Sequence, residues 1–442
     1  MPNDNDFYLK VYLNRSELVH PDGTAETFEE GAVSEEARHR SDKIRQALSS
    51  GFLETVILEC RKGIADLTTY VLNDEHKALL DVLVNSVTAE NGRALVGLVV
   101  LQLCVKAIEP QQSIRLHKGG SSARDFSWRD GISMRSLDNT FITPVLRKYD
   151  LLKLNADGFM MTRSLAENYP YSQVYKANLR GARKQWLQLV EELERARLDA
   201  TTGLKYLIAQ LLNRADSFAT LATETLVHMQ QYLEQNTGNL RESVYTLIIK
   251  HIEESKNAAR IMEIAMHSLM QAMNELGVFD PGVLKPLSQM RSANKKHGNV
   301  ADIEILEYRQ IVEAWDAKYA ISYLRDQLEE LDDKLRNHPQ VTLAGFVTTV
   351  APIRMDELLL RMEEIQDMRG IKVVILTLDQ WVQAQFQRTY DEVDADAETL
   401  AGRWLVAYSE SIAQRRREIA PIDEPCFDWL AALKHLIVQA KV

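Results

Sequence analysis

The period of the apolar positions changes several times along the chain, and each change predicts an element. FYLKVYL at 7–13 alternates as a strand does, and an acidic, Gly-containing loop follows it. From about 41 to 108 apolar residues recur at three and four, as in SDKIRQALSSGFLETVILECRKGIADLTTYVL, which predicts helices. Residues 111–133, rich in Gly, Ser and Arg, read as a loop. The spacing then predicts a helix over 136–154, capped by Ser136 or Asp138, with Leu137, Phe141, Val145 and Tyr149 on its apolar face. Pro144 fits such a helix in its first turns or at a kink. KLNADGFMMTR at 153–163 reads as two short strands around a turn from Asn155 to Gly158. Helical spacing returns over 175–196 and from 204 to about 277, closed by Gly277 and the Pro-Gly at 281–282.

VADIEILEYRQIVEAWDAKYA at 300–320 alternates with a period of two on both sides of a short break, which predicts a hairpin. Helix ISYLRDQLEELDDKLRNH then leads to strand VTLAGFVTTV (341–350), and helix MDELLLRMEEIQDMRG to strand IKVVILTL (371–378). Near-continuous apolar strands alternating with helices predict an α/β core whose sheet is covered on both faces. The chain ends in helical spacing. The expected organisation is a mainly helical segment 1–85, a recognition region 86–200, a helical connector 201–240, an α/β core 241–385 and a helical extension 386–442.

Composition narrows the class. At 442 residues, 45% hydrophobic and 26% charged, the chain can bury two or three cores without staples. No apolar run approaches the roughly 18–20 residues that span a bilayer. MPNDNDFYLK lacks the basic start and apolar stretch of a secretory signal. Cys60, Cys104 and Cys426 lie too far apart for a disulfide framework or a CxxC zinc site, so a cytoplasmic protein with no membrane partner is expected.

A net charge of −11 argues against indiscriminate coating of nucleic acid. Local fields still decide at a Debye length of about 8–10 Å, and the basic residues are clustered. Arg115, Lys118, Arg124, Arg129 and Arg135 fall within 111–135 beside two acids, with Phe126 and Trp128 among them. Arg291, Lys295 and Lys296 fall within 281–300, which holds no acid. Both stretches are expected to contact duplex phosphates, which set affinity and register rather than sequence.

The hairpin carries the chemistry. With Tyr308-Arg309-Gln310 as its loop, Asp302 sits opposite Asp316, their Cβ atoms roughly 4.5–5.5 Å apart on one face. Two carboxylates that close repel unless a cation lies between them, and Mg2+ takes one or two carboxylates plus waters. Lys318 follows on the same face, where it can hold or deprotonate a water, an arrangement suited to phosphodiester hydrolysis. Glu304 and Glu313 read as structural. Acid-x-Lys also occurs at Glu75, Glu254 and Asp332, but within helical stretches.

This segment resembles the PD-(D/E)XK nuclease core, in which an acid on one strand is followed by acid-x-Lys on the next. Asp302 matches the first acid, Asp316 the second and Lys318 the lysine, while Ala301 stands where the motif name has proline. The resemblance implies Mg2+ (with Mn2+ able to substitute) at Asp302, Asp316 and Ala317, and a helix-borne glutamate, Glu263, completing the catalytic set. It implies a restriction-endonuclease-like fold, a mixed sheet flanked by helices. The helix and small hairpin over 136–163 similarly resemble the tail of a winged helix, within a mainly helical N-terminal region. A basic recognition region beside such a core, without a P-loop, resembles a type II restriction endonuclease. That family implies double-stranded DNA as substrate, a homodimer, and a companion DNA methyltransferase. The alternatives are a methyl-directed or repair nuclease with the same core, and a non-catalytic DNA-binding protein with a degenerate one.

Overall fold

A computed structural model describes residues 7–62, 67–88, 92–120, 126–152, 158–159, 165–177, 179, 181–287, 298–418 and 424–440. The chain divides into two units, 1–219 with 420–424, and 220–419 with 425–442. The finer boundaries expected near 85 and 200 are absent from this division for a physical reason. One cluster of buried side chains runs from Ile44 to Leu212 and takes the helices on both sides of those points into a single core.

In the first unit, the loop expected after the first strand contains two more. β1 (Tyr8–Val11), β2 (Arg15–Val19) and β3 (Ala25–Glu29) form an antiparallel sheet in that order, Tyr8 opposite Val19 and Arg15 opposite Glu29. These strands are mostly polar, but Leu18 and Phe28 point inward and pack with Leu116 and Trp128. The described residues of the 111–133 stretch are therefore irregular in backbone yet partly internal, with Ile114, Leu116, Trp128 and Ile132 all buried.

Helices α1 (Glu35–Ser49), α2 (Phe52–Lys62), α3 (Asp74–Asn85) and α4 (Gly92–Ile108) follow. ALVGLVVLQLCV is apolar on every side, and α4 is accordingly buried all round from Gly92 to Lys106. Two of its internal polar groups are matched as follows: Gln102 accepts from Trp186 Nε1 at 3.0 Å, and Lys106 Nζ lies 3.1 Å from Glu194.

The helix expected over 136–154 starts earlier and contains a π turn, Asp138–Ile142, between α5 (Met134–Leu137) and α6 (Thr143–Lys148). The wide turn shifts the apolar face, so Ile142 and Leu146 are buried while Phe141 and Val145 are only partly so. Neither proposed cap acts as one. Asp138 is buried and accepts from Thr143 Oγ1 at 2.5 Å. Of the small hairpin expected at 153–163, residues 153–157 and 160–163 lie outside the described residues. α7 (Arg183–Glu194) and α8 (Ala200–Gln235) complete the series, and the division between the units falls within α8.

The second unit holds α9 (Leu240–Glu254), α10 (Ala258–Glu275) and a five-stranded mixed sheet. The sheet order is β4 (Val283–Leu284), β5 (Ile303–Glu307), β6 (Gln310–Lys318), β7 (Leu343–Thr348), β8 (Lys372–Thr377). The first three strands are antiparallel and the last three parallel. α11 (Arg325–Leu335) and α12 (Met355–Arg369) connect β6 to β7 and β7 to β8. Leu328, Leu331, Leu358 and Ile365 from these helices join Ala314, Phe346 and Val373 in one core. α10 and α13 (Leu378–Val393) also pack on the sheet, where Trp381 meets Trp315 edge to face. Gly345 stands opposite Trp315, whose ring occupies the place a Cβ would take. α14 (Ala397–Glu418) and α15 (Cys426–Gln439) pack on α9 and α10, so the expected extension is part of this unit. Among the described residues no helix is long and apolar enough to cross a membrane.

Candidate active site

The hairpin turns in two residues rather than three. Tyr308 and Arg309 both take positive φ, 48° and 68°, the geometry of a tight hairpin turn. A bulge between Ile305 and Leu306 in the pairing makes up the missing residue, leaving Val312 extra on the second arm. Turn and bulge cancel. Ile303 pairs with Trp315, so Asp302, one residue ahead of β5, takes the position opposite Asp316. The bulge also turns Ile311 to the face of Ala314, and both enter the same core cluster.

Asp302 and Asp316 face each other across the hairpin, close enough for each to act on the other's charge. Asp302 Oδ2 also accepts from Ala317 N at 3.2 Å, and Lys318 Nζ lies 2.8 Å from Asp316 Oδ2. Burial pushes the Asp302 carboxyl well above the usual carboxylate range, reinforced by the charge of Asp316 and then of Glu263. Burial acts on Asp316 in the same sense. The hydrogen bond from Asp302 and the Lys318 ammonium outweigh it and hold Asp316 below its ordinary value. Burial also opposes the charge on Lys318, but Asp316 wins and raises its pKa. The two carboxyls are thus pushed in opposite directions, Asp302 upward and Asp316 downward, and Lys318 Nζ lies 5.9 Å from the centre of the Phe346 ring.

The structure brings Asp302, Asp316, Ala317 and Lys318 together, with Glu263 on α10 near enough for its charge to act on Asp302. Glu263 is paired with Arg260 on the same helix. α11 adds residues that the sequence pattern did not single out. Gln327, Glu330 and Lys334 line a small cavity with Asp316, and Lys334 Nζ lies 3.0 Å from Glu330. Their spacing of three and four puts them on one face, but DQLEELDDKL is charged on every side, so no stripe stands out. Glu304 and Glu313 are buried and structural: Glu304 pairs with Lys285, and Glu313 with Arg388 and Trp315 Nε1.

The donor set suits a hard divalent cation. Two carboxylates, Asp316 buried and Asp302 half-buried, face each other across the hairpin, and a cation between them would relieve their repulsion. Among the described residues no group of three or more His, Cys, Asp and Glu side chains is gathered for a metal. Waters and substrate oxygens would therefore complete any Mg2+ shell here.

The basic residues separate into three kinds. Arg115 is withdrawn as a DNA contact: it is wholly buried, 2.5 Å from Glu191, 3.3 Å from Glu26, and donates to the Tyr171 carbonyl at 2.9 Å. Trp128 is likewise core. Lys118 is half-buried against Phe126 and donates to Asn168, and burial lowers its pKa. Arg129 is exposed and 3.1 Å from an equally exposed Glu29, and Arg135 is exposed on α5. Arg124, Arg291, Lys295 and Lys296 lie outside the described residues.

Comparison with known proteins gives no match: no family model fits the chain, and no curated protein is similar to it.

Proposed function

We propose that this chain is a Mg2+-dependent, sequence-specific endonuclease of the PD-(D/E)XK type acting on double-stranded DNA. The observation that carries the proposal is the pairing of Asp302 with Asp316 across the hairpin, with Lys318 bound to Asp316. The order of elements supports it: a helix bearing Glu263, three antiparallel strands, a helix, and a parallel strand. The complete acid, acid and lysine set favours an enzyme over a degenerate DNA-binding relative. The restriction role, the homodimer and the companion methyltransferase rest on the family resemblance, and the winged-helix reading of 86–200 on the residues at 136–163.

Asp302 and Asp316 would hold the cation, which supplies a Lewis acid and an activated water at a phosphodiester. Lys318, its ammonium held by Asp316, would orient water and offset charge on the phosphate oxygens. Lys318→Ala should therefore lose on the order of a hundredfold or more in single-turnover rate, with a smaller loss of DNA affinity. Full recovery of rate at saturating enzyme would make Lys318 a phosphate contact instead.

The direct test is pure protein with plasmid DNA, with and without Mg2+, and mapping of the ends. Fixed cut sites in Mg2+ alone are expected; intact plasmid removes the proposal. DNA reading by the first unit is tested by charge reversal at Arg124, Arg129 and Arg135. Each lost phosphate contact should lower the log–log salt slope of binding by about 0.9. A wild-type slope moves recognition elsewhere.

A further inference from the structure

We infer that buried Glu304 and half-buried Lys285 form a clamp that positions Asp302, an inference that rests on reading the hairpin as a metal site. Asp302 precedes the first paired residue of β5, so ladder hydrogen bonds do not fix it. The run ahead of it is internal: Val300 and Ala301 are almost fully buried, and their N–H groups need partners. Both are taken by one carboxylate oxygen. Glu304 Oε1 accepts from Val300 N at 2.5 Å and from Ala301 N at 3.2 Å.

The other oxygen, Oε2, lies 2.6 Å from Lys285 Nζ, and that ammonium also donates to Asn299 Oδ1 at 2.8 Å. Lys285 is anchored in turn: its N–H donates to the Glu304 carbonyl at 2.9 Å, and its carbonyl bonds His267 Nε2 at 3.0 Å. His267 sits on α10, the helix that carries Glu263. One ion pair thus ties residues 299–301, β5 and α10 together immediately beside Asp302.

An ion pair whose carboxylate is buried is a poor way to gain stability, because desolvation of that carboxylate consumes much of the attraction. Its value here is geometric. Asp302 must hold its place opposite Asp316 if the two are to share a cation, and a carboxylate holding two successive N–H groups fixes the chain that carries it.

The test compares the full chain carrying Glu304→Gln, Lys285→Met or Asn299→Ala with wild type. The measurements are calorimetric titration with Mn2+, the Mg2+ midpoint of single-turnover cleavage, and the thermal midpoint. Glu304→Gln keeps an acceptor for Val300 and Ala301 but loses the charge facing Lys285. Positioning predicts Mn2+ affinity weakened about tenfold, as for outer partners of metal ligands, and a matching upward shift of the Mg2+ midpoint. Excess Mg2+ should restore much of the rate. Asn299→Ala, which removes one bond from the ammonium, should shift both in the same direction by less. Variants that melt earlier yet keep wild-type Mn2+ affinity and Mg2+ midpoint overturn the clamp. If Glu304→Gln does not fold, the other two decide by the same measurements. Wild-type protein that neither binds Mn2+ nor cleaves removes the nuclease reading and the clamp with it; normal wild type with unchanged variants removes the clamp alone.

Discussion

Asp302→Asn and Asp316→Asn are each expected to lose on the order of a thousandfold or more in Mg2+-dependent cleavage, about 4 kcal/mol of barrier, while shifting thermal stability in opposite directions. Asp302 holds a proton in the fold that its unfolded form releases at ordinary carboxylate pH. The native state therefore binds more protons than the unfolded one, and stability falls as pH rises from the ordinary value, 3.8, through the raised one. Asparagine is neutral at every pH. Its Nδ2 can donate to Asp316 as the protonated acid does, and its oxygen can accept from Ala317 N. Asp302→Asn should therefore melt higher than wild type at pH 7 and lose this slope. Asp316→Asn does the reverse, because it strips the half-buried Lys318 ammonium of its counter-ion. It should melt lower. Both sets of midpoints come from thermal scans at pH 5 and pH 7 without metal. Retained Mg2+-dependent cleavage in either variant would take the reaction away from this hairpin, and identical stability shifts would contradict the opposite shifts of the two carboxyls.

How much of this was legible in the sequence depends on how local each cause is. The α/β alternation after residue 300 and the opposition of Asp302 and Asp316 follow from period-two patterning, which a buried sheet enforces. The two-residue turn was not legible, because Tyr308 and Arg309 are not the Asn-Gly type that announces positive φ. The expected register survived because the bulge beside Leu306 compensates for it. The first sheet was hidden by strands such as RSELV and AETFE, each of which buries one large apolar side chain. Arg115 and Trp128 misled for the opposite reason. A basic and aromatic stretch reads as a nucleic-acid surface, and the carboxylates that neutralise Arg115, Glu26 and Glu191, are distant in sequence. The clamp at Glu304 has the same character: its partner Lys285 lies 19 residues away on another strand's end, and nothing local marks the pair.

Acid is expected to destabilise both units of the protein well above the carboxylate range, through three buried histidines. His117, His251 and His267 are each held neutral, their pKa values lowered from 6.5 to about 4, chiefly by burial. His251 shows why. Nε2 bonds the Trp429 carbonyl at 2.9 Å, which requires it to be the protonated nitrogen, and Nδ1 then accepts from Tyr408 OH at 2.6 Å. A second proton would break that arrangement among buried groups. His117 is stacked on Tyr171 at 4.3 Å, and the positive charges of Arg415 and Arg260 oppose any proton on His267. The unfolded chain protonates all three near pH 6.5 and the native chain only near pH 4. Stability is therefore fully present above about pH 6.5 and is lost as pH falls through that window. Each shift is worth up to about 3 kcal/mol, and two of them fall in the second unit, against a total of about 5–15 kcal/mol for a typical domain. Asp302 acts in the opposite sense above 3.8, so the net loss is smaller than the sum. Urea titrations at pH 7 and pH 4.5 should show midpoints falling sharply at the lower pH. His251→Gln preserves a donor to Trp429 and an acceptor for Tyr408 but cannot titrate; it should be less stable than wild type at pH 7 and lose less on acidification. A variant with the same acid slope as wild type would show that His251 is not one of the groups that drives the transition.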